Sequence, residues 1–275
     1  MKKIMYLMLI FIIFFLIFTT MSSKIYEKSD MNNSSIDIVA GTDSIKIAFF
    51  NVEPHIFLDE KTGQMKGALY EFIENNIATE MGVKFIWDKQ PSTIPRQLEI
   101  LKIEKDYAAA LLTATPDRIS TYAFTKKPFF LSKSAIAVRK DKNLQKISTT
   151  DDLVGMIIGY ADKAYISPFM KDSRIKFDLI AAPNFNEINF KKLLANRIDA
   201  VYAPDKASLL MISKLMNLSG SIKVLDLPEK TSAFHVVFPK SSVNIVDKYD
   251  KAFDKLNGQK LYLKLLNKYL DTSKL

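Results

Sequence analysis

Two hydrophobic periods alternate along most of this chain. Apolar runs of strand length fall at Ser44 to Phe50, Val83 to Trp87 and Tyr107 to Leu112. Between them, Lys66 to Met81 places apolar residues at 69, 72, 73 and 77, one face of a helix, and Ile94 to Glu104 continues in the same period. Gly82 stands where a helix ends in the left-handed conformation. A second set follows, with strands at Ser134 to Val138, Met156 to Tyr160, Ile198 to Tyr202, Ile222 to Leu225 and Ala233 to Phe238. Its helices are a short turn opened by Asp151-Asp152-Leu153, then Asn186 to Asn196, a helix capped by Asp205 and running to about Asn217, and a helical tail over Val246 to Leu270. Strands alternating with helices predict largely parallel sheets covered by helices, the α/β class. No repeat of solenoid length is visible.

The first residues break this rhythm. Met1-Lys2-Lys3 is a short basic start, Ile4 to Phe18 an unbroken apolar run, and Thr19 to Ser23 a stretch of small residues. That is the pattern of an export signal, with cleavage expected after Ser22. A membrane-spanning helix takes about 17–25 apolar residues, so a retained anchor is the secondary reading. Residues 23–43 are rich in Ser, Asn and Asp and read as a flexible leader. The chain has no cysteine, which excludes a disulfide framework, a thiolate metal site, a thiol nucleophile and a lipid-anchored N-terminus. An exported protein without a lipid anchor points to the periplasm.

Net charge is +9, or +7 once Lys2 and Lys3 leave with the signal, and the basic residues are dispersed. Without an Arg-rich cluster there is no footprint for nucleic acid. No cofactor motif, nucleophile elbow or His-x-x-x-His pair is present, and no carboxylate/His cluster has metal-ligand spacing. No catalytic residue, metal or cofactor is therefore assigned.

The chemistry concentrates in Leu111 to Phe130, LLTATPDRISTYAFTKKPFF. A buried-type strand ends in Thr113 and Thr115, Pro116-Asp117 turns the chain, and Arg118 follows. Hydroxyls and a guanidinium at a strand tip suit a carboxylate, because the planar fork of Arg matches it and stays charged.

Four segments share an order with a known group: IAFFNVEPHIFLDEKTGQMKGALYEFI (47–73), LEILKIEKDYAAALLTATPDRISTYAFTKKPFF (98–130), FNEINFKKLLANRIDAVYAPDKASLL (185–210) and AFHVVFPKSSVNIVDKYDKAFDKL (233–256). With them the chain resembles the bacterial extracellular solute-binding proteins of family 3, which include polar amino-acid receptors of ABC importers. The resemblance implies the two-lobed type II periplasmic-binding fold, with residues 44–133 and 231–275 as one lobe and 134–230 as the other. Crossover strands near 132–136 and 226–233 would serve as the hinge, and solute would bind in the cleft.

The resemblance also places site residues. Arg118 falls at the family's carboxylate-binding position, with Thr113 beside it and Leu111 offering a backbone carbonyl. Phe50 stands in the loop that stacks an aromatic ring on the ligand, although Phe49, Phe50, Glu53 and His55 replace the usual tyrosine and prolines; buried packing is the other reading of Phe50. His55 reads as structural. Arg96 matches a position where relatives carry an Arg, either in the pocket or solvated. Tyr165 ends the ADKAY turn (161–165) that meets the ligand's carboxylate in amino-acid receptors. Asp205 is either a displaced ammonium ligand or a helix N-cap, and the second reading tilts the expected solute towards a carboxylate without an essential amino group.

The expectation is a monomeric exported receptor that hands a small carboxylate-bearing solute to an inner-membrane ABC permease. The alternatives are a periplasmic dehydratase on the same fold, with Glu53 as its candidate acid, and a membrane-tethered sensory binding module.

Overall fold

The computed structural model describes residues 43–270. The export signal over 1–22, nearly all of the leader over 23–43 and the last five residues lie outside the described residues. Among the described residues no helix is long and apolar enough to cross a membrane.

Strand β1 (Ser44–Ala48) alternates exposed Ser44 and Lys46 with buried Ile45 and Ile47, the signature of a strand covered on one face. A hairpin of β2 (Phe57–Leu58) and β3 (Met65–Lys66) follows, then helix α1 over residues 68–81. Leu69, Phe72, Ile73 and Ile77 form the fully buried face of α1, as their spacing predicts. Its middle turn, Ile73–Ile77, is a π turn. Gly82 ends the helix in the left-handed region at φ 65°.

The chain continues through β4 (Lys84–Trp87), α2 (Ile94–Ile103) and β5 (Tyr107–Thr113), then α3 (Pro116–Thr121), β6 (Tyr122–Phe124) and β7 (Phe130–Ser132). Pro116-Asp117, expected to form a turn, instead opens α3. The Thr115 hydroxyl accepts the Arg118 N–H at 3.3 Å and Pro116 takes the first helical position, where its missing donor costs nothing. A turn and the first turn of a helix start alike, so the cap decides between them.

Strand β8 (Ala135–Arg139) begins a second sheet, completed by β9 (Ile157–Ala161), β10 (Lys176–Ile180), β11 (Ala200–Ala203) and β12 (Ile222–Asp226). Helices α4 (Phe185–Leu194) and α5 (Lys206–Leu215) pack on it. Strand β13 (Ser232–Pro239) then returns to the first sheet, and α6 (Val243–Lys255) and α7 (Gly258–Leu270) close the fold. The helical tail is thus two helices, broken at Asn257, whose φ of 51° no helix can carry.

The first sheet runs β4-β1-β5-β13-β6 with β7 also on β13, and the second β10-β9-β11-β8-β12. Parallel pairing holds for β4-β1-β5 and β10-β9-β11, whereas β13 and β8 pair antiparallel with every neighbour. The sheets are therefore mixed, because these strands carry the chain between the sheets and enter from the opposite direction. The two crossings lie side by side: the Leu227 N–H donates to the Ser134 carbonyl at 3.0 Å, and the Ser134 and Ser232 hydroxyls meet at 3.4 Å.

One irregularity bears on the cleft. Between Ala109 and Leu112 strand β5 advances three residues, against two between Val237 and His235 on β13. The extra residue is absorbed by a bulge, with Leu111 at φ 62°. A leucine held in the left-handed region costs on the order of 1–3 kcal/mol, which the surrounding packing must offset.

Gly67, before α1, has φ 122°, and a Cβ there would lie 2.3 Å from the His55 carbonyl oxygen. Gly67→Ala therefore combines backbone strain with a clash against backbone that cannot yield. The variant should lose about 3 kcal/mol of stability, read as a lower urea midpoint at unchanged slope.

Candidate functional site

The cavity between the two sheets is about 50 Å³, space for a few waters. Its walls are mostly apolar, with Phe50, Leu111 and Phe234 on the first-sheet side and Tyr160, Tyr165 and Phe185 on the other. Phe50 meets Phe185 across the cleft at a ring distance of 5.7 Å. Phe50 is buried packing, as one of its two readings had it, and it also lines the cavity.

Arg118 reaches the cavity because Thr115 caps α3 and turns its first residues inward. Buried at 9 % exposure, its guanidinium donates to the carbonyl of Thr113 at 2.9 Å and, across the cleft, to that of Lys163 at 2.6 Å. No carboxylate among the described residues pairs with it. Burial pulls its pKa below the ordinary value, with Tyr160 and Tyr122 opposing. A buried cation held only by carbonyl dipoles keeps much of its affinity for an anion. Next to it the Thr113 hydroxyl is buried and without a hydrogen-bond partner, and so is the Asn186 side-chain oxygen on the opposite wall. Leu111 lines the first-sheet side at its bulge.

Asp205 also lines the cavity, but its carboxylate is occupied. One oxygen accepts from the Ser132 hydroxyl at 2.6 Å and the Ala207 N–H at 3.1 Å. The other accepts from the Ser208 N–H at 2.9 Å and from His55 Nε2 at 2.7 Å. It is the N-cap of α5 and also a contact between the two sides of the cleft. Burial alone would raise its pKa; the His55 ring, Ser132 and Ser208 outweigh that and hold it below the ordinary value of 3.8. His55, read from sequence as structural, has no solvent exposure and bonds Tyr262 through Nδ1.

The structure thus brings Arg118, Thr113, Leu111, Phe50, Tyr165 and Asp205 to one cavity. It does not bring Arg96 there. Arg96 is exposed on α2 and borders a separate open depression of about 730 Å³ with Trp87, Asp88 and Tyr107. Its position, third in a helix capped by Thr93, turns it outward. Glu53, the acid of the enzymatic alternative, is not among the cavity residues. Burial raises its pKa, assisted by Glu187 and opposed by a backbone hydrogen bond. Among the described residues no group of three His, Asp or Glu side chains could hold a metal ion.

The residues that sequence reasoning missed are His55 as a cleft contact, Ser132, Tyr262, Phe185 and Asn186. Nothing local marks them. His55 and Asp205 stand 150 positions apart, and Asn186 reads as an ordinary first-turn helix residue.

Two sheets joined by paired crossings around such a cavity define a cleft-type solute-binding protein. The model of the bacterial extracellular solute-binding proteins, family 3, matches residues 45–272, and the chain belongs to that family. Its fold matches an ancestral arginine-binding protein bound to arginine, at 24% identity and TM-score 0.68, covering 83% of this chain and 98% of that one. It also matches an amino acid ABC transporter substrate-binding protein from Streptococcus pneumoniae bound to L-arginine, at 18% identity and TM-score 0.69, over 85% and 96% of the two chains. The GluR0 ligand-binding core from Nostoc punctiforme, in complex with glutamate, matches at 20% identity and TM-score 0.68, over 82% and 99%. At these identities the likeness is one of fold. A search of curated protein sequences finds no match.

Because the folded-state pKa of Asp205 is depressed, its contribution to stability is complete above 3.8 and is lost as pH falls through the lower folded value. Asp205→Asn should cost about 2–4 kcal/mol at neutral pH, through a weakened cap and cross-cleft bond. In paired urea titrations that difference should shrink on acidification below 3.8. A difference independent of pH would show that the folded state does not hold the carboxylate ionised.

Proposed function

We propose that this protein is the exported receptor of an ABC importer and that it captures a small carboxylate-bearing solute between its two lobes. The observation that carries the reading is Arg118: buried in the cleft, bonded only to two backbone carbonyls, and paired with no acid among the described residues. A solute carboxylate would take over the fork, and the unpartnered Thr113 hydroxyl beside it would donate a further bond. The apolar walls suit an aliphatic or aromatic side chain. Proteins of the same fold solved with arginine or glutamate bound support the carboxylate, and the one from Streptococcus pneumoniae, a substrate-binding protein of an amino acid ABC transporter, supports the importer.

In this reading the lobes are residues 44–133 with the described residues from 231 onward, and 134–230, hinged at the paired crossings near Ser134 and Leu227. A solute of amino-acid size exceeds the cavity of about 50 Å³, so capture requires the lobes to part and close again.

A thermal-shift screen over monocarboxylates, amino acids, dicarboxylates and uncharged sugars should find stabilisation only among the carboxylates. A solute at a hundredfold excess over Kd adds about 2.7 kcal/mol. With the best solute, Arg118→Ala should weaken binding by about 2–5 kcal/mol, and Arg118→Lys should also lose affinity because a point charge cannot reproduce the fork. An uncharged solute whose affinity survives Arg118→Ala would overturn the reading. Small-angle scattering should show a smaller radius of gyration at saturation; an unchanged radius would argue against closure.

A further inference from the structure

The contact between His55 and Asp205 does more than hold two lobes together. Asp205 is the one carboxylate among the residues lining the cavity, and four donors already surround its two oxygens. An ionised carboxylate offers about four lone-pair sites, so none is left for a solute. Three of the donors are local or close to the crossing: Ser132 and the N–H groups of Ala207 and Ser208. The fourth is imidazole, delivered from the opposite side of the cleft and positioned by Tyr262, whose ring stacks on that of His55 at an interplanar angle of 5°.

We infer that His55 is the specificity-determining residue of the site: it occupies Asp205 from across the cleft and so reserves the cavity for carboxylates that carry no adjacent ammonium group. The inference rests on the carboxylate reading of the cleft and narrows it. An ammonium entering this cavity would lose its hydration and find no unpaired anion, because the only lining acid already has its donors. Among the buried side-chain atoms of the lining on the second wall, the Asn186 oxygen is an acceptor without a partner, and it suits a neutral hydroxyl. The preferred class is therefore a small 2-hydroxy or unsubstituted carboxylate with an apolar side chain. The other charged groups near His55 do not alter this. Glu53, two residues upstream, and Glu187 on α4 are outside the lining, and Arg118 is the cation that the solute carboxylate takes.

The test uses matched probes on the full-length mature protein: lactate against alanine, 2-hydroxy-4-methylpentanoate against leucine, and phenyllactate against phenylalanine, each titrated calorimetrically. The wild type should bind the hydroxy acid of a pair at least about tenfold more tightly than the amino acid. His55→Asn keeps an amide on the Tyr262 side of the ring and removes the donor to Asp205. It should shift the preference towards the amino acid by about tenfold or more, and adding Asp205→Asn should cancel that shift. A merely structural His55 would lower both affinities together and leave their ratio unchanged. Preference of the wild type for the amino acid, or a ratio unmoved by His55→Asn and His55→Ala, would overturn the inference.

If no probe binds, the carboxylate reading fails, and the pairing is decided without a solute. The chain has two histidines, so the His55 ring can be assigned by nitrogen-15 NMR. An exchange-protected Nε2–H signal that vanishes in Asp205→Asn supports the occupied carboxylate. Its absence in the wild type rejects it.

Discussion

The carboxylate of Asp205 is the constraint around which the cleft is arranged. It starts helix α5, receives the Ser132 hydroxyl from the end of β7, and takes the His55 ring from the loop after β1. A buried charge is tolerable only when its oxygens are fully engaged, and here the engagement draws on three separate parts of the chain. Each partner is positioned in turn. Tyr262 on α7 orients the His55 ring, and Phe130 packs beside it at a ring distance of 5.0 Å. The last helix therefore contributes to the cleft without lining it.

Arg118 poses the opposite electrostatic problem. Asp205 is buried and saturated; Arg118 is buried and held by carbonyl dipoles alone. One group is finished and the other unfinished, and they stand on opposite sides of the cleft, Arg118 on α3 and Asp205 at the start of α5. The Thr113 hydroxyl and the Asn186 oxygen, both unpartnered, are unfinished in the same sense.

The bulge at Leu111 connects these charges to the sheet. Strand β5 is buried along its whole length and ends at Thr113, whose carbonyl receives Arg118. The extra residue lets β5 keep pairing with β13 while its end turns into the cavity, and it places an uncommon backbone conformation at the site instead of in the core.

What the sequence determined by itself is local and periodic. Apolar spacing placed α1 and its Gly82 stop, the apolar run from Ser44 to Phe50 placed β1, and Asp205 before Lys206 announced α5, because these depend on neighbours a few residues apart. The grouping of Arg118 with Thr113 was legible for the same reason, since strand end and guanidinium lie within six positions. Tertiary structure decided everything that spans the cleft. Arg96 carries the charge of a site residue but sits on the outward turn of its helix. His55 looks incidental until the fold sets it 2.7 Å from an aspartate 150 positions away. Pairing across such a distance is decided by how two sheets close on each other, and no local pattern encodes that closure.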